Sequence, residues 1–239
     1  MKAPIETLLF DFGGTLDANG VAWKERFHTY YRAEGLDMPA AAFQPSFFAA
    51  DSSLVGNLPH DTDLAGTVHA LVCNLDFELA SSAVRTEKSR PVNGCSTRGA
   101  RVAARFLSDA SAAFVRNQPV LEELRKRYRL GIVSNFYGNL EAVCHGANLA
   151  SLFSVMVDSQ RVGAEKPDPA IFHAALRALR ASPETTVLVG DSLRRDGEGA
   201  RRTGMRFIWM MPQVNPDASA QPPLEQGVTE LHELLGILQ

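Results

Sequence analysis

Acidic, basic and hydroxyl side chains follow short apolar runs at several places in this chain. Asp11 ends the run "TLLFD", Asp191 ends "TVLVGD", and Ser134 lies near the end of "LGIVSN". Lys166 comes after a fourth run, "SVMVDS". A carboxylate attacks a phosphoester poorly because anion repels anion, and a lysine together with a divalent cation can neutralise that charge. The four residues therefore predict phosphoryl chemistry with an aspartate nucleophile.

Such a site would also need ligands for the cation and donors for the phosphoryl oxygens. Asp191 and Asp196 could supply carboxylate oxygens, which Mg²⁺ prefers in proteins. The Ser134 hydroxyl and loop amides could hold the phosphoryl oxygens, and Gly13 and Gly14 allow the backbone to approach closely. These groups form one site only if the fold brings them together.

The four apolar runs predict buried strands, and "MRFIWM" is a fifth candidate. Continuous apolarity is typical of a parallel sheet covered on both faces, and helical patterns such as "DPAIFHAALRAL" separate the runs. A helix beginning at Pro119, a helix ending at Gly204 and a last amphipathic helix in "VTELHELLGIL" complete this core. Ligands of an open parallel sheet bind beyond the carboxyl ends of the strands, so the candidate residues are expected to converge there.

The region from residue 18 to residue 114 interrupts the alternation of strands and helices. It contains helical patterns such as "AWKERFHTYYRAEGL" and "LAGTVHALVCNLDFEL" without a confident strand, and the turn-rich stretches "GNLPHDTD" and "KSRPVNG" read as loops. We therefore predict an α/β core domain of residues 1–17 and 115–239. Residues 18–114 form an inserted helical domain, called the cap below.

The order and spacing of four segments resemble the motifs of the haloacid dehalogenase-like superfamily. "DFGGTLD" is similar to the first motif, "IVSN" to the second, "GAEKPDPAIF" to the third and "GDSLRRDGEGA" to the fourth. The resemblance implies a Rossmann-like three-layer α/β core with an inserted α-helical cap. It also implies a Mg²⁺-dependent hydrolase, foremost a phosphatase, that acts on a small phosphorylated metabolite through an aspartyl-phosphate.

The resemblance further implies a role for each matching residue. The residues implied in catalysis are Asp11, Ser134 and Lys166; those implied in substrate binding are Gly14, Thr15, Ser134, Asn135 and Lys166; and those implied in metal binding are Asp11, Gly13 through its backbone carbonyl, Asp191 and Asp196.

Gly13 departs from the pattern of the phosphatases in this superfamily. The residue two positions after the nucleophile is usually an aspartate that protonates the leaving oxygen and then activates water. Glycine keeps the backbone carbonyl for the metal but lacks this acid–base group, which is worth roughly 10²- to 10⁴-fold in rate. We therefore expect a slow phosphatase that favours good leaving groups, with help from an acidic or histidine residue of the cap.

Three alternatives remain open at this point. The main one is a catalytically impaired protein that binds a phosphoryl group or a partner but does not turn over. A haloacid dehalogenase would lack the acidic fourth motif, which Asp191 and Asp196 retain here. A phosphonatase would need an early cap lysine, and none occurs between Lys24 and Lys88.

Composition narrows the partners and the compartment. The chain has 239 residues with 24 Lys and Arg against 27 Asp and Glu, and the net charge of -3 favours neither nucleic acid nor anionic membranes. No apolar stretch reaches about 18 residues, so no membrane span is predicted, and "MKAPIETLLF" does not fit a signal peptide. Cys73, Cys95 and Cys144 are widely spaced and odd in number, which predicts no disulfide, no zinc site and a reducing cytoplasm. A monomer or homodimer is expected.

Overall fold

The computed structural model describes residues 3–83, 95–212 and 227–238. The strands of this part of the chain are β1 (Thr7–Phe10), β2 (Arg129–Ser134), β3 (Val155–Asp158), β4 (Thr186–Gly190), β5 (Arg206–Met210) and β6 (Gly227–Val228). All pair in parallel, in the order β3-β2-β1-β4-β5-β6. The chain therefore has the predicted Rossmann-like α/β fold.

Helices connect these strands. They are α1 (Trp23–Ala33), α2 (Ala40–Ser52), α3 (Leu64–Ala83), α4 (Thr97–Leu124), α5 (Leu140–Gly146), α6 (Ser159–Val162), α7 (Pro169–Leu179), α8 (Glu198–Thr203) and α9 (Leu234–Ile237). Helices α1 to α4 lie between β1 and β2 in sequence, where the cap is predicted. Helix α4 continues past the predicted boundary at residue 114, and the division into two domains stays a prediction. Among the described helices, none is long and apolar enough to cross a membrane.

The first strand contributes to apolar clusters on both of its faces. Leu8 and Phe10 belong to one cluster, whereas Leu9 packs with Ile171 and Phe172 of α7 in the other. Because successive side chains of a strand point to opposite faces, a strand covered on both sides needs an uninterrupted apolar run. The carboxyl ends of β1, β2 and β4 consequently lie side by side, since both other strands pair with β1.

The predicted starting points of two helices were wrong. Pro119 lies inside α4 and does not start a helix, because Val120 and Leu121 continue the buried face that Phe114 belongs to. Burial of this face outweighs the cost of an internal proline, about 3 kcal/mol. At the carboxyl end, Val228 pairs with β5, so "VTELHELLGIL" does not form one helix. The predicted loop "KSRPVNG" lies outside the described residues.

The prediction that no disulfide forms was also wrong. Cys73 of α3 and Cys95, just before α4, form a disulfide across a sequence separation of 22 residues. The packing of α3 against α4 brings the two sulfurs together, and cysteine spacing alone does not reveal such a contact. Cys144 is a buried free thiol.

Candidate active site

The carboxylate of Asp11 lies directly after β1 and is held by three donors. Its Oδ1 accepts hydrogen bonds from the Phe12 amide at 2.7 Å and from the Ser134 hydroxyl at 2.8 Å. The Lys166 ammonium lies 2.7 Å from the same oxygen. Burial raises the pKa of Asp11, but the charge and hydrogen bond of Lys166, the charge of Arg195 and the Ser134 hydrogen bond together hold the pKa below its usual value. Asp11 is therefore an oriented carboxylate.

Lys166 is buried and bridges two acidic residues. Its Nζ lies 2.7 Å from both Asp11 and Asp196. Burial alone would lower the pKa of Lys166, but the two carboxylates raise it above its usual value. The side chain of Asn135 positions this lysine, because its oxygen accepts from the Lys166 amide at 2.7 Å and its nitrogen donates to the Lys166 carbonyl at 3.3 Å. The Asn135 amide thus contacts the Lys166 backbone directly.

Asp11, Asp191 and Asp196 form an acidic cluster in which Asp11 and Asp196 are buried and Asp191 is half-buried. One oxygen of each lies within 4.8 Å of the others. The Oδ1 of Asp191 is buried and has no hydrogen-bond partner in the described part of the chain. Burial, followed by the charges of Asp11 and Asp196, raises the pKa of Asp191 well above its usual value. Three close carboxylates with an unpartnered oxygen match the donors of a hard divalent cation.

Two glycines make room for these acidic side chains. Gly14 has a φ of +90°, and a Cβ there would lie 2.4 Å from Asp191 Oδ2. A Cβ on Gly190 would lie 2.5 Å from Asp196 Oδ2. Both contacts are too short for any larger residue, so the glycines beside Asp11 and Asp191 are needed to pack the cluster. Thr15 is buried, and its hydroxyl has no partner among the described residues.

The space beside Gly13 is filled by an aromatic ring that the sequence did not indicate. A Cβ on Gly13 would lie 3.2 Å from Nε1 of Trp23, the first residue of α1. This Nε1 donates to Asp17 Oδ2 at 2.7 Å, and the indole contacts the ring of Phe136 edge to face at 5.8 Å between centroids. The indole therefore crowds the position where a side chain on residue 13 would begin, and a Cβ there requires a small shift of the ring.

Asp17, the last residue of "DFGGTLD", ties α1 to this loop. Its buried carboxylate accepts from the Gly14 amide at 2.6 Å, from Trp23 Nε1 and from the Arg26 guanidinium at 2.8 Å. Arg26 also lies over the ring of Phe106, at 3.9 Å from its centroid. The ion pair between Asp17 and Arg26 is almost inaccessible to solvent.

Replacing Arg26 with leucine is expected to destabilise the protein by about 3–5 kcal/mol, because it leaves the buried Asp17 charge without its cation. Urea unfolding measures the change in free energy. The matched control is Arg101→Leu, which breaks the exposed pair with Glu34 and should cost about 0–1 kcal/mol. Equal losses in the two variants would contradict a structural role for the buried pair.

Two further charged groups face this site without having been predicted. The guanidinium of Arg195 interacts with Asp11, Asp191 and Asp196, and these charges raise its pKa although burial lowers it. It also interacts with Asp51 of α2, in the cap. Arg195 belongs to the fourth motif, but its position near the site is evident only when α8 and the turn before it are placed. No feature of the sequence indicates Asp51.

The fold and the site define a hydrolase of the haloacid dehalogenase-like class. A family model described as haloacid dehalogenase-like hydrolase matches residues 5–204, so the chain belongs to this family, as its four motifs predicted. Its relatives include named phosphatases.

Two curated relatives and one solved structure illustrate the extent of the similarity. The chain is 36% identical over 124 residues to the bovine (Bos taurus) haloacid dehalogenase-like hydrolase domain-containing protein 3, covering 51% of this chain and 49% of that protein. It is 36% identical over 139 residues to a phosphoserine phosphatase of Thermus thermophilus, covering 54% and 56%. The chain thus spans about half the length of the curated relatives it matches.

A 2-haloacid dehalogenase from Pseudomonas syringae has a similar structure, with a TM-score of 0.53 and 24% identity over 98% of both chains. At this identity the likeness concerns the fold alone. The choice between attack on phosphorus and attack on carbon must therefore come from the residues of the site.

Proposed function

We propose that this hydrolase is a phosphatase that uses Mg²⁺ and transfers the phosphoryl group of a small metabolite to Asp11 before water releases it. The observation that carries the proposal is the acidic cluster beside the Asp11–Lys166 pair, with the buried and unpartnered Oδ1 of Asp191. The resemblance implies that a haloacid dehalogenase attacks carbon without Mg²⁺, so a set of carboxylates suited to a divalent cation favours the phosphatase. The phosphatases among the relatives support the same reaction class.

Asp11, Asp191 and the Gly13 carbonyl would hold the Mg²⁺ ion. The oxygens of Asp196 already accept from Lys166 at 2.7 Å and from the Ser192 amide at 3.1 Å, so Asp196 assists mainly by positioning the lysine. When bound, Mg²⁺ neutralises charge on the phosphoryl oxygens and on the attacking carboxylate.

The residues of the chain itself orient the nucleophile and receive the phosphoryl group. The three donors to Asp11 all bind Oδ1, which leaves Oδ2 without a hydrogen bond from the residues that the structure describes. We assign Oδ2 as the oxygen that attacks phosphorus. Ser134 and Lys166 then bind the phosphoryl oxygens, which carry negative charge through the transition state. The amides of Gly14 and Thr15 already donate within the loop, to Asp17 and to the Phe12 carbonyl.

The substrate class, the compartment and the assembly are proposed from composition and cysteine usage. A small metabolite fits a chain with a net charge of -3 better than a nucleic acid does. The cytoplasmic location and the monomer or homodimer stay predictions from the sequence. The Cys73–Cys95 disulfide weighs against a reducing compartment, where such bonds are rare.

Isothermal titration calorimetry with Mg²⁺ tests the metal assignment. Asp191→Asn is expected to weaken Mg²⁺ binding by about 10- to 100-fold, because one charged ligand is lost. Glu198→Gln is the matched control, since Glu198 pairs with Arg201 on the surface of α8. Equal Mg²⁺ affinity in the wild type and Asp191→Asn would remove Asp191 from the ligand set.

A non-catalytic phosphoryl-binding protein is the second candidate, and the filled space beside Gly13 favours it. Phosphate release from an aryl phosphate separates the two functions. Mg²⁺-dependent release that stops on addition of EDTA supports the phosphatase. Mg²⁺-dependent binding of inorganic phosphate without any release would support the binding protein instead.

A further inference from the structure

The indole of Trp23, beside Gly13, belongs to a cluster of three aromatic rings that also includes Phe136 and Tyr137. Trp23 contacts Tyr137 with 6.5 Å between ring centroids, and Phe136 contacts Tyr137 at 5.0 Å. Tyr137 lies three residues after Ser134, whose hydroxyl donates to Asp11. The tyrosine therefore stands at the carboxyl end of β2, on the side of the site where position 13 lies.

The hydroxyl of Tyr137 donates to a carboxyl group of the cap, Oδ1 of Asp51 in α2. The other oxygen of Asp51, Oδ2, accepts no hydrogen bond in the part of the chain that the structure describes. Arg195 interacts electrostatically with both Asp51 and Asp11. Through Tyr137 and Trp23, this cap carboxyl is connected to the ring that packs beside Gly13.

The surroundings of Asp51 suit a group that exchanges protons. Burial raises the pKa of Asp51, the Tyr137 hydrogen bond and the charge of Arg195 lower it, Glu165 raises it, and the balance lies above the usual value. A carboxyl with a raised pKa is a better proton donor near neutral pH, because more of it carries a proton. Among the cap histidines, His60 also reaches the core, but it is exposed and its Nδ1 lies 3.1 Å from the Gly138 carbonyl.

We propose that Asp51 supplies the acid–base group that is absent at position 13, an inference that rests on the proposed phosphatase function. In the first step Asp11 Oδ2 forms a bond to phosphorus as the bond to the leaving oxygen breaks. The Asp51 carboxyl transfers its proton to that leaving oxygen. The products of this step are the alcohol, the phosphorylated Asp11 and the Asp51 carboxylate.

In the second step the Asp51 carboxylate takes a proton from a water molecule. The water oxygen forms a bond to phosphorus, and the bond between phosphorus and Asp11 breaks. Inorganic phosphate leaves, Asp11 is a carboxylate again, and Asp51 is protonated for the next cycle. Loss of Asp51 therefore affects the first step only for poor leaving groups and the second step for all substrates.

Rapid-mixing kinetics of Asp51→Asn test this assignment with 4-nitrophenyl phosphate and glycerol phosphate. With the aryl ester we expect a burst of one nitrophenolate per active site at the wild-type rate, followed by turnover slowed roughly 10²- to 10⁴-fold. With the alkyl ester we expect the same loss without a burst. If Asp51 only held the cap against the core, Asp51→Asn would slow the first turnover of the aryl ester as much as that of the alkyl ester. That result would overturn the proposal.

Two further variants separate chemistry from packing. Tyr137→Phe removes the donor that lowers the pKa of Asp51, so the limb of the pH–rate profile that belongs to Asp51 should move to higher pH; an unmoved limb contradicts the assignment. Asp109→Asn is the matched control, because Asp109 accepts from the Tyr30 hydroxyl at 2.5 Å elsewhere in the cap, and its kinetics should equal those of the wild type.

The inference and the proposed function fail in different ways. Wild-type turnover of glycerol phosphate by Asp51→Asn overturns the role of Asp51 and leaves the phosphatase standing. Wild-type turnover by Asp11→Asn, or no Mg²⁺-dependent turnover in the wild type, overturns the phosphatase itself.

Discussion

Asp11→Asn is expected to abolish phosphate release while the fold is kept. The asparagine oxygen still accepts from Ser134 and Phe12, and Lys166 keeps its contact with Asp196. A neutral amide, however, cannot form the bond to phosphorus on which the proposed reaction depends. Removing a covalent nucleophile costs on the order of 10⁶-fold in turnover. Steady-state phosphate release from an aryl ester measures the loss.

The control for this variant is Asp63→Asn. Asp63 is an exposed aspartate that accepts from the Gly66 amide at the start of α3, and asparagine caps a helix as well as aspartate does. This control should retain full turnover, and both proteins should unfold at similar urea concentrations. If pure Asp11→Asn protein released phosphate at the wild-type rate, Asp11 would not be the nucleophile.

The convergence of Asp11, Ser134 and Asp191 was predictable because it follows from the parallel pairing of their strands, whereas Lys166 also depends on the loop after α6 and on its contacts with Asn135. Each residue lies at or after the carboxyl end of a buried run, and parallel pairing aligns those ends. The strands themselves were predictable, because burial on both faces of the sheet requires uninterrupted apolar runs.

The residues that surround these four side chains were not predictable, because their positions depend on how helices distant in sequence pack. Tyr137 and Asp51 are 86 positions apart in the chain, and their contact exists only once α2 lies over the end of β2. Trp23 fills the space beside Gly13 for the same reason, with α1 in place. The Cys73–Cys95 disulfide is likewise a product of the packing of α3 against α4.

The contact between Trp23 and position 13 determines the expected effect of placing an aspartate at position 13. The backbone at Gly13 is not in the left-handed region, so it can carry a side chain, but the new Cβ would lie 3.2 Å from Trp23 Nε1. Gly13→Asp alone is therefore expected to bring no gain on an alkyl phosphate. The new side chain has to displace the indole, which Asp17 and Phe136 hold in place, and Asp51 already supplies the proton.

An aspartate at position 13 should raise turnover of an alkyl phosphate only when Trp23 no longer crowds it and Asp51 no longer supplies the proton. In an Asp51→Asn background, Gly13→Asp combined with Trp23→Leu is expected to restore turnover of glycerol phosphate by roughly 10²- to 10⁴-fold, the contribution of one acid–base group. The control protein carries Asp51→Asn and Trp23→Leu with Gly13 unchanged, which opens the same space without adding an acid. Urea unfolding checks that each variant is folded, because Trp23→Leu also removes the hydrogen bond to Asp17. If the control regains as much turnover as the triple variant, the space and not the carboxyl limits the reaction, and position 13 has no acid–base role to restore.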